Sequence, residues 1–394
     1  MFAEVSSFKH RGELAVVCIF AMPESYPPTL NAIERLSRRF GHVAVVCLGG
    51  PLEGTWDFPE NCTLIRLRPP SKKHTPWRLL LSSRRLSGFT SQVVKLLKDG
   101  RPGLLLCYDD IAAYCGWKAK RKAGFQGAFW YHNHDAVRKS DVNRLTTIGV
   151  AIAHQESLFR ELDLFSLPAI ERSEFFPVDL LKRAPEWIPN YPERSFYSKV
   201  GSRHAGLDSD CVRMIFQGSL SRGHLFEELI DILDQTVDSL SLSMTLIGPI
   251  RPAYREQLFA RARKSEVADR LHVLPPIPYS VLPFVTKGHA IGLAIHEPKG
   301  LIYSTGGTAS NKIYEYAACG LPVLAFDSPH YRLHLERYEW VELVSKDPES
   351  LLSGIRNHVR GFPSRSESAS QEIMTERSFA FRFDQAVQKL IDGR

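Results

Sequence analysis

Short apolar runs alternate along the chain with longer stretches in which apolar residues recur every three or four positions. In the first half, the short runs predict strands at 14–20, 43–48, 63–67, 104–107, 128–131 and 148–153. In the second half, they predict strands at 212–216, 244–247, 272–274, 291–295, 323–326 and 341–344. Helical patterns such as 29–39 fill the gaps, which is typical of parallel sheets covered by helices on both faces. The pattern predicts an α/β protein with two doubly wound, Rossmann-like sheets.

Residues 185–210 separate the two series of strands. This segment is rich in proline, glycine and charge and has no sustained apolar period, so it predicts a linker. At roughly 100 to 200 residues per domain, 394 residues suffice for two domains. We therefore predict an N-terminal domain at 1–190, a linker at 191–210, a second domain at 211–375 and a closing helix within 376–394. Because open α/β sheets bind ligands at the carboxyl ends of their strands, we expect the domains to face each other across a cleft.

Composition narrows the class of protein. With 44% hydrophobic and 24% charged residues the chain is neither disordered nor collagenous nor a coiled coil. Its longest apolar run, 14–22, is too short to cross a bilayer, and Glu13 and Pro23 argue against a signal peptide, so we expect a core strand. The 7 cysteines form no CxxC motif and lie mostly in apolar runs. A reducing, cytoplasmic location fits best.

Positive charge is concentrated in residues 61–101, which hold ten basic residues against the single acid Asp99, whereas the whole chain carries +7. No zinc finger, RNA-recognition signature or basic zipper accompanies this charge, so nucleic acid is not the expected partner. Apolar residues interleave with the basic ones over 72–101, a composition suited to an anionic membrane surface. The alternative is a core helix with a solvated basic face.

The most informative segment is the stretch 306–322, GGTASNKIYEYAACGLP, which precedes the predicted strand 323–326. Gly307 and the glycine before it let the backbone approach a ligand, Ser310 or Asn311 can cap a helix, and Gly320 suits the position after its end. The free N–H groups and the positive dipole end at such a helix start bind anions, and Lys312 adds a full charge in the first turn. A diphosphate would fit there.

Glu315 lies one turn further along the same helix. A carboxylate beside a phosphate site is well suited to accept hydrogen bonds from the two hydroxyls of a ribose, so a nucleotide is the expected ligand. The alternative is a solvated contact between Glu315 and Lys312 at i, i+3.

A second turn, QGSLSRGH at 217–224, follows the predicted strand 212–216 and precedes a helix at 225–233. Gly218 and Arg222 make it a second phosphate-competent turn in the same domain, which favours the nucleotide site. The alternative for Arg222 is a surface cation at a helix start, and we expect His224 at the surface of the first turn.

In this order the motifs resemble the retaining GT-B glycosyltransferases, in particular bacterial mannosyl- and glucosyltransferases of the family 4 type. FQGSLSRG resembles their first donor-domain turn, TLIGP the end of their second strand, and LHVLPPIP the strand before the base-binding loop. NKIYEYAACGLPVLA resembles their acidic helix motif and is the specific one. WIPNYP resembles the segment closing the first domain, and 379–391 the C-terminal helix that crosses back to it.

The resemblance covers most of the chain and implies transfer of a sugar from a UDP- or GDP-type donor to an acceptor hydroxyl with retention, without a tightly bound cofactor. The acceptor could be a sugar, a lipid-linked molecule or a small molecule. The implied donor-binding residues are Gly218, Arg222, Ile277, Gly307, Ser310, Asn311, Lys312 and Glu315. Arg222 and Lys312 would stabilise the leaving diphosphate, and that diphosphate can take the acceptor proton.

Two departures from the family pattern concern the donor sugar. The family often has a second Glu eight residues before the position of Glu315, but Gly307 stands there, and Glu297 lies further upstream in a longer loop. The basic residue that follows the first-turn glycine in the family is Ser219. The identity of the donor sugar is therefore left open.

His134 in the sequence WYHNHD follows the strand 128–131 and resembles the family's cleft histidine at that strand's end. A histidine there can donate to a sugar hydroxyl or stabilise developing charge, so we expect it to be catalytic. A metal site is the alternative reading of the His and Asp side chains, but no partner cluster at ligand spacing occurs elsewhere, and we expect no metal.

Two other functions remain open. A nucleotide-sugar epimerase of the same fold would need no acceptor and would isomerise or hydrolyse the sugar. A non-catalytic nucleotide-sugar-binding subunit is favoured by the missing second Glu. The presence or absence of turnover with and without acceptor separates the three.

Overall fold

A computed structural model describes residues 13–68, 78–200, 210–372 and 379–392, and side chains over the same ranges except at 78–83 and 379. The chain divides into two compact units. The first comprises Met1–Pro189 together with Phe379–Arg394, and the second comprises Asn190–Ser378.

The first unit contains a parallel sheet whose strand order is β3-β2-β1-β4-β5-β6-β7. Its strands are β1 Leu14–Ile19, β2 His42–Leu48, β3 Cys62–Leu67, β4 Leu104–Tyr108, β5 Ala128–His132, β6 Leu164–Leu167 and β7 Glu186–Trp187. Val16 in the centre pairs with Ala44 on one side and Leu105 on the other. Because β1, β2, β4 and β5 are buried on both faces, they appear in the sequence as continuous apolar runs. The predicted strands 14–20, 43–48, 63–67, 104–107 and 128–131 are confirmed within two residues.

The sixth predicted strand, 148–153, is wrong, because these residues form the helix Thr147–Ile152. The Thr146 hydroxyl caps this helix by accepting a hydrogen bond from the Gly149 N–H at 3.1 Å. A short apolar run fits a buried strand and one face of a short helix equally well. The sixth strand of the sheet is β6, where Asp163, just before it, accepts a hydrogen bond from the Phe129 N–H at 2.9 Å.

Helices cover the first sheet, and the last of them comes from the end of the chain. They span Pro27–Ser37, Arg78–Gly100, Asp109–Ala123, Thr147–Ile152, Gln155–Phe159 and Phe379–Asp392. In the closing helix, the ring of Phe383 stacks on Trp130 with centroids 5.0 Å apart, and Asp384 pairs with Arg35 at 3.3 Å. The predicted return of this helix to the first unit is confirmed.

The second unit contains the sheet β11-β10-β8-β12-β13-β14, with β9 paired antiparallel to β10. Its strands are β8 Cys211–Gln217, β9 Thr236–Val237, β10 Leu240–Ile247, β11 Leu271–Leu274, β12 Ile291–Ala294, β13 Val323–Phe326 and β14 Val341–Val344. All six strands predicted for the second half are present. Met214 in β8 pairs with Met244 and Ile291, and these central residues are buried in the core.

The helices of the second unit connect these strands. They span Arg194–Tyr197, Phe226–Asp231, Pro252–Lys264, Leu282–Thr286, Leu301–Ser304, Gly306–Ala309, Asn311–Ala318, Pro329–Leu335, Pro348–Arg360 and Phe362–Glu372. Short 3-10 turns occur at Pro23–Ser25, Lys139–Asp141, Ile170–Phe175, Val178–Leu180, Ser198–Val200 and Ala268–Arg270. The second unit begins at Asn190 and includes residues 191–200 of the predicted linker, where Tyr197 is buried. Residues 201–209 lie outside the described residues.

None of the helices in the described ranges combines the length and the apolar character needed to cross a bilayer.

Candidate active site

In the second sheet β8 is a central strand. The strands that follow it in the chain first add on one side, as β10 and β11, and then on the other side, as β12, β13 and β14. The carboxyl ends of β8 and β12 therefore flank the crevice in which such sheets bind ligands. Gly218 follows β8 with a φ of 133°, and Gly248 follows β10 with a φ of 150°. A Cβ at Gly248 would lie 1.8 Å from the Gly218 carbonyl oxygen, so only glycine fits there. The turns that follow β8 and β10 therefore pack directly against each other at this edge of the sheet.

The helix Asn311–Ala318 begins beside this crevice. Ser310 occupies its N-cap position, but its hydroxyl accepts no hydrogen bond from the helix backbone. The Ser310 Oγ and Asn311 Oδ1 atoms are both buried without a hydrogen-bond partner in the described chain. Such groups are rare and call for a ligand or water, and these two lie where the helix N–H groups point. The predicted stop is confirmed, since Gly320 follows the helix with a φ of 75°.

The glycines before this helix do not form the open loop that we expected, because Gly306–Ala309 is itself a helical turn. The Gly307 N–H donates to His330 Nδ1 at 2.9 Å, and its carbonyl accepts a hydrogen bond from the Tyr314 hydroxyl. A Cβ at Gly307 would lie 2.7 Å from His330 Nδ1. Close packing against His330 therefore requires glycine there, whatever role the residue has in binding the donor.

Glu315 is buried at the centre of a hydrogen-bonded network. Its Oε2 accepts a hydrogen bond from Gln217 Nε2 at 2.6 Å, and the Gln217 Oε1 accepts one from the Thr286 hydroxyl at 2.8 Å. Its Oε1 is buried and makes no hydrogen bond of ordinary geometry within the described part of the chain. Burial raises the pKa of Glu315 to about 7, while Tyr279, Gln217 and Lys312 oppose the rise. The alternative of a solvated pair with Lys312 is wrong, because Glu315 is buried and bonds to Gln217.

Lys312 lies in the same crevice. Its Nζ is 5.1 Å from the centroid of the Phe216 ring and would lie 3.8 Å from a Cβ at Gly218. Across the described ranges it makes neither a hydrogen bond nor an ion pair. Burial lowers its pKa, which means that the ammonium lacks the solvation or counter-charge it would have in water. An anion placed against it would supply that counter-charge.

Two histidines, one of them in the loop 217–224 that follows β8, lie next to these groups. The rings of His224 and His296 stack with centroids 5.8 Å apart and an interplanar angle of 9°. Burial lowers the pKa of His224 to about 4 and that of His296 to about 3, with the Lys312 charge as a further cause, so both are neutral. The expectation that His224 is a surface residue is wrong: Leu225 takes a φ of 50°, the helix begins at Phe226, and the His224 ring turns inward against Phe226.

His296 was missed in the sequence, although it follows a buried strand at the sheet edge where ligands bind. Its neighbour Glu297 contacts the loop 217–224, because the Glu297 N–H donates a hydrogen bond to the Gly223 carbonyl at 2.8 Å. The Glu297 carboxylate pairs with Lys299 at 2.6 Å. The longer loop thus brings a carboxylate to the predicted donor site.

Arg222 is not brought to Lys312. Its guanidinium is 70% exposed, hydrogen-bonds Gln257 and lies 3.9 Å from Glu227 and 5.4 Å from the Tyr254 ring. Ile277 lies half-buried in the loop after β11, two residues before Tyr279. The Tyr279 hydroxyl is 3.1 Å from that of Tyr197, so a residue of the predicted linker contacts the loop that we expect to bind the base.

In the first sheet β1 is a central strand, with β2 and β3 on one side and β4 to β7 on the other. His134 lies at the carboxyl edge of this sheet, two residues after β5. Its ring is buried and stacks on Tyr108, with centroids 4.6 Å apart and an interplanar angle of 7°. Both ring nitrogens are buried without a hydrogen bond to any residue in the described ranges. The Asp109 Oδ2 lies 3.5 Å from Nδ1. The first unit thus offers a buried polar group at the carboxyl edge of its sheet.

A pocket of about 310 Å³ follows in the same unit, between the loop after His134 and the helix Thr147–Ile152. Its lining comprises Lys139, Ser140, Val142, Arg144, Gly149, Ile152 and Ala153. Two of these side chains are cationic and none is acidic, and the aliphatic ones give the pocket an apolar floor.

The basic segment 72–101 is described from residue 78 onward, with side chains from Arg84. Leu86 and Phe89, which we expected on an apolar membrane-facing side, are buried in the first unit, and Phe89 contacts Phe20 with centroids 5.3 Å apart. Over these residues the segment is a core helix, as in the alternative interpretation. Arg84 remains exposed, while Lys72, Lys73 and Trp77 lie outside the described residues.

No protein-family model and no curated protein sequence matches the chain. Solved structures match it over nearly its whole length. The Anabaena protein HepE in complex with UDP and glucose is 14% identical with a TM-score of 0.69, and covers 97% of this chain and 100% of its own. A glycosyltransferase from Rickettsia africae is 11% identical with a TM-score of 0.69, and covers 97% and 99%. UDP-GlcNAc 2-epimerase from Neisseria meningitidis, bound to UDP-GlcNAc, is 11% identical with a TM-score of 0.60, and covers 96% and 100%. The fold is thus the GT-B fold, which both classes of enzyme share.

Proposed function

We propose that the protein is a glycosyltransferase that moves a sugar from a nucleoside diphosphate sugar to an acceptor hydroxyl. The observation that carries the proposal is the group of buried polar atoms without partners at the carboxyl edge of the second sheet. Ser310 Oγ, Asn311 Oδ1 and Glu315 Oε1 belong to one helix start and its first turn, and Lys312 lies between them in sequence. Hydroxyl, amide, ammonium and carboxylate groups match a diphosphate followed by a ribose.

Each part of the donor has a place in this proposal. The diphosphate contacts the start of the helix Asn311–Ala318, Lys312 and the backbone at Gly218, where the dipole and the ammonium stabilise it. Glu315 accepts hydrogen bonds from the ribose hydroxyls through Oε1, and Ile277 contacts the base. Gly307 supports the site through its contact with His330. The nucleotide is of the UDP or GDP type, and UDP is the nucleotide bound to HepE.

The reaction breaks the bond between the anomeric carbon and the diphosphate oxygen and forms one between that carbon and the acceptor oxygen. The leaving diphosphate takes the acceptor proton, so no separate protein base is required. Lys312 stabilises the charge on the diphosphate as the bond breaks. Arg222 does so only after leaving Gln257 and Glu227, and His134 contributes a hydrogen bond to the sugar. Retention at the anomeric carbon follows from the resemblance to family 4.

The acceptor belongs to the first unit in this proposal. The pocket beside the helix Thr147–Ile152 has a cationic rim formed by Lys139 and Arg144. A phosphate- or carboxylate-bearing acceptor with an apolar part matches those walls. A lipid-linked acceptor would fit a peripheral place on the inner face of the membrane and a role in polysaccharide or glycolipid synthesis. A natural product of the same chemistry would fit a small-molecule glycosyltransferase.

The second candidate is a nucleotide-sugar epimerase, which is favoured by the likeness to the Neisseria epimerase over nearly the full length of both chains. A non-catalytic nucleotide-sugar-binding subunit is the third, since Gly307 stands where the family often has a glutamate.

One experiment distinguishes the three. The base is first identified from thermal stabilisation by UDP, GDP and dTDP, since a ligand at 100 times its dissociation constant adds about 2.7 kcal/mol of stability. The stabilising nucleotide is then supplied as its sugars, with and without a panel of sugar, prenyl-phosphate and small-molecule acceptors. A transferase releases nucleotide and glycoside in equal amounts only with an acceptor. Sugar isomerised without an acceptor identifies an epimerase, and binding without turnover identifies a non-catalytic subunit. Lys312→Met is the matched inactive control.

A further inference from the structure

We propose that Asp109 is the positioning residue for His134. Its carboxylate holds the backbone and the ring of His134 so that Nδ1 carries a hydrogen towards Asp109 and Nε2 is presented to the substrate. This inference rests on the proposed function, because His134 meets a sugar only if the protein binds one. The tautomer of His134 is nevertheless a property of the free protein and can be measured without substrate.

The backbone of Asp109 is unusual. Asp109 is the first residue of the helix Asp109–Ala123 and follows β4 directly, yet its φ is 61°, in the left-handed region. A non-glycine residue in this region is strained, and such residues concentrate at functional sites. Asp and Asn tolerate the conformation best among side chains that can also accept hydrogen bonds. The turn places the carboxylate next to the loop that follows β5.

Both oxygens of that carboxylate are directed at His134. Oδ1 accepts hydrogen bonds from the N–H groups of His134, at 2.7 Å, and Asp135, at 3.3 Å. Oδ2 lies 3.5 Å from His134 Nδ1. On the other side, the buried guanidinium of Arg172 donates to the His134 carbonyl at 2.6 Å. The backbone of His134 is therefore fixed at both its N–H and its carbonyl by charged side chains.

Aromatic rings fix the plane of the imidazole. Tyr108 stacks on one side, Tyr26 stacks with its centroid 5.4 Å away, and His132 meets the ring edge-on at 5.0 Å. A ring held in this way has one nitrogen towards Asp109. Because the Asp109 oxygen that faces the ring acts as a hydrogen-bond acceptor in this proposal, the nitrogen next to it carries the hydrogen. Nδ1 and Nε2 are both buried and make no hydrogen bond to any described residue, but only Nδ1 has the Asp109 carboxylate beside it, so Nε2 is the atom offered to a sugar hydroxyl.

A purely structural role for Asp109 makes different predictions. An acid in the first turn of a helix stabilises the helix dipole, and the two backbone hydrogen bonds order the loop. If this were its whole contribution, its replacement would lower stability without changing the His134 tautomer or the turnover of folded enzyme.

Asp109→Asn separates the two roles. The asparagine side chain keeps an oxygen for the two backbone N–H groups and tolerates the φ of 61°, but it presents an NH₂ donor to Nδ1 in place of an oxygen. Nitrogen-15 spectra of the full-length protein, labelled at histidine and with the His134 signals assigned by their loss in His134→Ala, report the tautomer. We expect the Nδ1–H form in the unsubstituted protein and the Nε2–H form in Asp109→Asn. Asp141→Asn, an exposed acid of the same unit, is the matched control and should leave the spectrum unchanged.

Turnover gives the second measurement. With the donor and acceptor found for the protein, kcat should fall at least tenfold in Asp109→Asn, while the Kd of the free nucleoside diphosphate stays within about threefold. In the His134→Ala background the same substitution should cause no further loss, because its effect passes through the ring.

Three results would overturn the inference: an Nε2–H tautomer in the unsubstituted protein, an Nδ1–H tautomer that persists in Asp109→Asn, or an equal loss of kcat on Asp109→Asn with and without His134. The first needs no variant of Asp109, so a variant that fails to fold leaves the inference testable. Absence of turnover with every acceptor would refute the proposed function, while the spectra would still decide the role of Asp109.

Discussion

Replacing Lys312 by methionine tests the proposed diphosphate site most directly. Methionine keeps an unbranched side chain that can pack on Phe216, but removes the ammonium. Because the Lys312 Nζ makes no hydrogen bond or ion pair to the described residues, the substitution leaves no protein partner unsatisfied. Because the Lys312 charge also lowers the pKa of Glu315, binding is measured at pH 8, where the Glu315 carboxylate is ionised, and the effect then reports the contact with the ligand.

The size of the effect follows from that geometry. A hydrogen bond to a charged group contributes about 1.5 to 3 kcal/mol, so the Kd of the nucleoside diphosphate should rise about 10- to 150-fold. The Kd of the corresponding nucleoside should change less than about twofold, because the nucleoside carries no phosphate.

Stability should move in the opposite direction. Burial holds the pKa of Lys312 below its usual 10.5, so at neutral pH the free protein contains a poorly solvated charge. Between the lowered pKa and 10.5 the folded state binds fewer protons than the unfolded state, and the free energy of unfolding of the unsubstituted protein should rise with pH in that window. Lys312→Met should lack this rise and should be at least as stable at pH 7.

Calorimetric titration with UDP, GDP, uridine and guanosine measures the Kd values, and urea unfolding at several pH values measures the free energy of unfolding. Lys264→Met is the matched control, since Lys264 is exposed and ends a helix that runs back towards the amino ends of the strands. Equal losses for nucleoside and nucleoside diphosphate, or lower stability with unchanged binding, would refute the assignment of Lys312.

Four further outcomes are expected. Burial raises the pKa of Glu315 from 4.5 to about 7, so affinity for nucleoside diphosphate should increase from pH 6 to pH 8 as the carboxylate ionises, more steeply than in Glu315→Gln, which retains only the titration of the phosphate. Because the folded state holds the Glu315 proton longer than the unfolded state, the free energy of unfolding should fall as pH rises from 4.5 to 7. If urea unfolding gives a difference in stability between wild type and Glu315→Gln that does not change with pH, the buried state of Glu315 is contradicted. His134→Ala should lower kcat at least tenfold with the Kd of free nucleotide within about threefold, and parallel losses in both would place His134 outside the sugar site. The protein should bind anionic but not neutral vesicles in co-sedimentation at low salt through exposed basic residues of 84–101 such as Arg84 and Lys98, because the apolar side of this helix is buried in the first unit. Each basic residue near the surface contributes about 1 kcal/mol, and protein that stays in the supernatant would favour a soluble acceptor.

The strands of the two sheets illustrate what sequence patterns determine. Strands such as β1 and β4 are buried on both faces and connected by amphipathic helices, so eleven of the twelve predicted runs coincide with strands. The exception, 148–153, was ambiguous because six apolar and small residues satisfy either period, and the cap at Thr146 decided for a helix.

The candidate site was predicted less completely than the fold. The start and stop of the helix Asn311–Ala318 follow from local rules for glycine and capping residues. The burial of His224 depends on the φ of Leu225, and the packing of Gly307 depends on His330, more than twenty residues away. Network partners such as Gln217 and Thr286 are contacts between separate elements, which local patterns do not reveal.

The closing helix Phe379–Asp392 sets an order of events for a chain that emerges from the ribosome. Trp130 and Arg35 of the first unit contact Phe383 and Asp384, which are made only after the whole of Asn190–Ser378. At synthesis rates of roughly 5 to 20 residues per second, this delay is about 10 to 40 s. During that time the first unit carries an uncovered apolar stripe over Trp130, so a nascent chain stalled before residue 379 should be a better chaperone substrate than the finished protein.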